Sequence, residues 1–142
     1  MEGKFYFSAK ALIINDNKFL SLFTDFRGKR LMDLPGGRME YGETPEQTLI
    51  REVKEEISLN VKPARLIDTW KHEGEDGFRV VGVIYHCEVL SGEFRINDEG
   101  VEYEWIDIKD IKKYSECGVL SDRMKNWNWE AIMESEVLFT NI

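Results

Sequence analysis

The stretch from Leu34 to Leu59, LPGGRMEYGETPEQTLIREVKEEISL, constrains this chain more than any other part of it. Thr44 is placed as an N-cap, Pro45 fits the first helical position, and Gln47 completes a T-x-x-Q capping box. Leu49, Val53 and Ile57 then recur every fourth residue, and Ile50 widens the apolar stripe. The pattern predicts an amphipathic helix with one buried face, entered from a glycine turn at Gly36-Gly37. Paired glycines let backbone approach a ligand closely.

The opposite face is acidic. Glu52, Glu55 and Glu56 stand at i, i+3 and i+4, so their carboxylates project from neighbouring turns of one face. Like charges so spaced cost an isolated helix about 0.2–0.5 kcal/mol per pair. Arg51 and Lys54 offset part of this from elsewhere around the helix. The residues allow two readings, a solvated glutamate-rich face or a site for a hard divalent cation such as Mg²⁺ or Mn²⁺.

The same stretch resembles the Nudix box, G-x5-E-x7-R-E-U-x-E-E-x-G-U with U aliphatic. Gly37 matches the first glycine and Glu43 the first glutamate. Arg51-Glu52-Val53, Glu55-Glu56 and Leu59 match the later positions. Ser58 departs, standing where the family has glycine, at a helix C-terminus where glycine eases a left-handed exit. The resemblance implies an α/β Nudix fold, an α/β/α sandwich with a mixed β-sheet between helices. It implies a Mg²⁺-dependent pyrophosphohydrolase, with Mn²⁺ as a possible substitute, that cleaves a diphosphate bond in a nucleoside diphosphate linked to another group or in a nucleoside triphosphate. By resemblance Glu55 and Glu56 are the main metal ligands, with Glu52 as third ligand or as base. The Gly37 carbonyl is a further ligand, and Arg51 and Glu43 brace the turn and helix. A glutamate from a later loop often joins such sites as base or ligand; Glu99 is the candidate, with Glu102 and Glu104 as rivals.

Two other functions stay open beside this one. One is sanitation of oxidised nucleoside triphosphates. The other is a non-catalytic Nudix-like nucleotide-binding domain, against which the intact acidic set argues.

A chain of 142 residues is long enough for one domain with a real core, here taken as 1–142 with the box at 37–59. The net charge of −8 argues against a nucleic-acid polymer as partner, but not against a small phosphorylated substrate. Cys87 and Cys117 make no zinc pattern and are taken as reduced structural thiols. With no signal peptide and no long apolar run, a cytoplasmic protein without membrane association is expected. A homodimer is a further expectation.

Along the rest of the chain, Met1 to Lys4 is a polar lead. Phe5–Ile14 and Lys18–Phe23 form a predicted hairpin around Asn15-Asp16-Asn17, followed by a polar loop at 24–30 and a short strand at 31–34. Later strands are expected at 61–71, 78–90, 93–96 and 101–108, with Trp105 buried. A short helix is expected at 109–114. A second main helix runs from Ser121 to about Glu134, with Met124, Trp127 and Ala131 on one face. Trp70, Phe78, Tyr41 and Phe26 are candidates to stack on a base. Lys10, Arg38, Lys71 and Arg79 are candidates to meet phosphates. His72 and His86 are expected to be structural or exposed rather than catalytic.

Overall fold

The computed structural model describes residues 4–134. In order they form β1 (Phe5–Leu12), β2 (Ile14–Asn15), β3 (Lys18–Phe26), β4 (Lys29–Asp33), β5 (Gly36–Arg38), helix α1 (Pro45–Ile57), β6 (Leu59–Glu73), β7 (Arg79–Gly92) and β8 (Glu102–Asp107). A 3-10 helix (Ile108–Tyr114), α2 (Val119–Met124) and α3 (Trp129–Met133) follow. Most of the predicted polar lead lies outside the described residues.

The β layer consists of two sheets. One is mixed, in the order β5-β1-β7-β6, with β1 and β7 parallel and the other pairs antiparallel. The other is antiparallel around β3, which pairs with β2 and β4 on one side and β8 on the other. Alternation along β1 sends Ala9 and Ala11 to one face and Ser8, Lys10 and Leu12 to the other. The first face packs against Leu49, Val53 and Ile57 of α1. The second joins Phe19, Phe23, Met32, Leu120, Met124 and Ile132 in a separate core under α2 and α3. Helices thus cover both faces, as the α/β/α expectation requires.

Local chemistry explains most element boundaries. Thr44 accepts from the Gln47 backbone N–H and Gln47 answers the Thr44 N–H, so the capping box is complete. Thr48 rather than Ile50 completes the buried face of α1; Ile50 is exposed. Ser58 ends the helix in the left-handed region at φ 64. Asn97 Nδ2 donates to its Oγ and to the Glu55 carbonyl, holding the serine where glycine is usual.

Five sequence expectations change. The hairpin around Asn15-Asp16-Asn17 is kept only by the two-residue β2 against Lys18 and Phe19, while β1 pairs with β5 and β7 in the other sheet. The polar loop at 24–30 is a hairpin turn: Arg27 and Gly28, both at positive φ, join β3 directly to β4. Residues 93–96 form no strand but lie against the α1 C-terminus, where Arg95 and Asn97 N–H groups bond the Ile57 and Glu56 carbonyls. The second main helix is broken into α2 and α3, because Trp127 Nε1 donates to Asp68 on β6 and Trp129 Nε1 to the Met124 carbonyl. Trp105 is half-buried; its neighbour Ile106 takes the core position.

Candidate active site

Arg51 is the centre of the acidic cluster. Its Nε and Nη2 donate to both oxygens of Glu43, at 2.6 and 3.0 Å. Nη1 reaches Glu52 at 3.0 Å and Glu55 at 3.3 Å, and Nη2 also bonds the Arg38 carbonyl at 3.0 Å. The guanidinium holds the Glu43 carboxyl down at about 2, helped by the Glu40 N–H. Thr48 Oγ1 donates to the same carboxylate. Arg51 and Glu43 therefore tie the turn to the helix.

Glu56 has a different environment. It accepts a hydrogen bond from the Gly36 N–H at 3.0 Å, and burial pushes its pKa up to about 7, against the opposing pull of that N–H and of Lys10. A desolvated carboxylate with one N–H donor is short of positive charge.

The glycines make this meeting of helix and sheet possible. A Cβ on Gly36 would stand 2.1 Å from the Ala9 carbonyl oxygen, and φ is +139° there. A Cβ on Gly37 would stand 2.5 Å from the Glu52 carboxylate. The acidic group thus lies directly over the backbone of β5. Its donors are all oxygens, and together with the partly uncompensated Glu56 they fit a hard divalent cation. Among the described residues no three such side chains already share a ligand geometry; Glu52 and Glu55 instead both accept from Arg51 Nη1.

Gly37 also lines a cavity of about 1000 Å³ on the far face of the mixed sheet. Its floor carries Ser8 and Lys10 of β1 and Trp70 of β6; Phe26, Lys29 and Met32 come from the second sheet, and Leu120 and Arg123 from α2. Gly82 leaves room for Trp70: a Cβ there would lie 2.6 Å from the indole Nε1. That N–H is buried and has no hydrogen-bond partner among the described residues. Asp68 fixes the α2 wall by accepting from Arg123 Nε and Nη2, both at 2.8 Å.

The remaining candidates divide by position. Arg38, Lys71, Phe26, Trp70 and Lys10 line the cavity, and so does His72. Arg38 lies 3.9 Å over the Tyr6 ring and 5.0 Å from that of Phe78, so Phe78 supports a cation. Lys10 is engaged by Asp33 at 2.9 Å. Arg79 on β7 and the fully exposed Tyr41 do not line the cavity. Glu99 is exposed in a turn two residues beyond Asn97, which is bonded to the α1 C-terminus. Glu102 and Glu104 both face Arg30 at 3.6 Å, and Tyr114 Oη also donates to Glu104. His86 is buried, with its pKa lowered to about 4 by desolvation first and Arg65 second. Burial raises the Cys87 thiol above its usual range, as fits an inert packing group. Asp33, Asp68 and Arg123 were missed, because each matters through a partner distant in sequence.

The NUDIX domain model matches residues 5–131. An ADP-ribose pyrophosphatase of Methanocaldococcus jannaschii is 32% identical over 106 residues, covering 72% of this chain and 62% of that protein. An 8-oxo-dGTP diphosphatase of Proteus vulgaris is 48% identical over 44 residues, 31% of this chain and 39% of that protein. The chain thus spans less than two thirds of either curated relative. The crystal structure of a MutT protein from Methanosarcina mazei superposes with a TM-score of 0.78 at 23% identity, over 92% of this chain and 98% of that one, and shows the same fold. Among the described residues no helix is long and apolar enough to cross a membrane.

Proposed function

We propose that this chain, which belongs to the NUDIX domain family, is a divalent-metal-dependent hydrolase that opens a diphosphate bond in a small nucleotide. The observation that carries this is the position of Gly37, shared by the acidic cluster and the cavity. A diphosphate lying at that edge would have carboxylates on one side and room for its nucleoside on the other.

Glu52, Glu55, Glu56 and the Gly37 carbonyl would hold the cation, Mg²⁺ or Mn²⁺. When bound, it supplies charge neutralisation and Lewis acidity to the phosphate oxygens. The protein's own residues do the positioning. Glu43 orients Arg51, and Arg51 in turn orients Glu52 and Glu55. Arg38, at the cavity mouth, is placed by Tyr6 and Phe78 to meet an anionic oxygen. Two carboxylates suit the role of base toward water: Glu52, held beside Gly37, and Glu99, whose turn is anchored through Asn97.

One relative is named ADP-ribose pyrophosphatase and another 8-oxo-dGTP diphosphatase, and the second name supports sanitation of an oxidised triphosphate as a second reading. Product analysis over ADP-ribose, nucleotide sugars, dinucleoside polyphosphates, and normal and oxidised dNTPs distinguishes the two. Turnover that needs Mg²⁺ or Mn²⁺ and disappears in Glu55→Gln and Glu56→Gln is expected. Undiminished turnover in both variants would remove these glutamates from the chemistry.

A further inference from the structure

The cavity floor carries an ion pair, Lys10 with Asp33, whose opposite charges also act on Glu56 in opposite directions. Lys10 Nζ lies 2.9 Å from Asp33 Oδ2; the lysine side chain is 11% exposed and that of the aspartate 51%. Lys10 belongs to the mixed sheet and Asp33 ends β4 of the other, so the two charges meet where the sheets face one another across the cavity. With its aspartate half exposed to water, such an ion pair is a weak source of stability. What this one offers is hydrogen-bonding capacity aimed at a ligand.

Asp33 Oδ1 accepts the Leu34 N–H at 2.8 Å and Oδ2 accepts Lys10. Among the described residues each oxygen keeps a further lone pair, and the ammonium keeps two further N–H directions. The two charges cancel, so the pair has little pull on phosphate, and an anion approaching Lys10 meets Asp33 as well. The fitting ligand is a neutral group with two adjacent donors beside an acceptor. We propose that Lys10 and Asp33 select a guanine base: its N1–H and N2–H donate to Asp33, and its O6 accepts from Lys10. Adenine would set its N1 lone pair against the carboxylate, and uracil offers a single donor. Trp70, Met32 and Leu120 supply apolar surface for the rings, while Arg38, Lys29 and Lys71 remain for phosphates.

This inference rests on the proposed function only in placing a nucleotide in the cavity, and it is tested without hydrolysis. Isothermal titration of the metal-free full chain with GMP, AMP, UMP and CMP is expected to show GMP binding on the order of tenfold to a hundredfold more tightly than the others. Asp33→Asn should lower GMP affinity and leave AMP unchanged. Lys10→Met/Asp33→Leu, which removes both charges together, should fold and lose the preference. Equal binding of the four, a preference for AMP, UMP or CMP, no binding, or a GMP preference that survives the double variant would overturn the proposal. In Glu55→Gln the preference should persist. A retained GMP preference with no diphosphate turnover would remove the hydrolase and keep the base site; turnover without a base preference would do the reverse.

Discussion

Arg51 makes five hydrogen bonds, to Glu43 twice, to Glu52, to Glu55 and to the Arg38 carbonyl. Only a planar guanidinium can serve so many acceptors in fixed directions. Arg51→Lys keeps the charge but loses the fork. It should cost about 1.5–3 kcal/mol in stability, the range for bonds to charged groups, and roughly 10–100-fold in turnover through misplaced carboxylates. Urea denaturation and steady-state kinetics on the same preparation check both. A loss of stability with kcat unchanged would mean that Arg51 only ties the turn down. The residues around Arg51 were legible in sequence because they occur in one short window. Asp33 was not, because its meaning depends on Lys10 from another sheet. Glu102 and Glu104 stand as rivals of Glu99 for the part of base or ligand, and nothing near them in sequence shows that Arg30 faces both.

At the scale of elements, α1 was the most legible part of the chain. Its cap, its proline and its apolar spacing are local signals, and local signals survive folding. The broken C-terminal helix was not legible, because the break follows from Trp127 bonding Asp68 across the molecule. The departure at Ser58 has a local answer and a test. A non-glycine residue in the left-handed region carries a cost of roughly 1–2 kcal/mol, which the Asn97 bond to Ser58 Oγ partly offsets. Ser58→Gly should therefore raise unfolding stability by up to about 1 kcal/mol, with a matching rise in Tm and no change in turnover. A fall in Tm would mean that the Asn97 bond outweighs the backbone strain.

For the whole molecule, the β layer with helices on both faces followed from the resemblance, while the split into two sheets did not. Strand periodicity gives facing but not partners, so the pairing of β3 with β8 rather than with a strand of the mixed sheet left no mark in the sequence. Burial of His86 gives the fold a pH dependence. Its pKa falls from the ordinary 6.5 to about 4 on folding, so between those values the unfolded chain binds more protons. Stability should be full above about pH 6.5 and should decline as pH falls toward 4, by up to roughly 3 kcal/mol from this group. Denaturation midpoints at pH 7.5 and 4.5 should differ less in His86→Gln than in the wild type.

Among the described residues no strand pairs with the outer side of β6, and this has a consequence for how copies of this protein behave when crowded together. This edge strand runs for 15 residues, long enough to template a neighbour's backbone. Yet its register shifts at Asn60/Val61, Pro63/Arg65 and Leu66/Asp68, and Lys62, Arg65 and Lys71 stud its length. Bulges, a proline and cations spoil the even spacing that a docking strand needs. Self-association by strand addition is thereby discouraged along this border. A homodimer built by strand addition along β6 is therefore not expected, and a concentrated solution should stay clear of fibre growth seeded there.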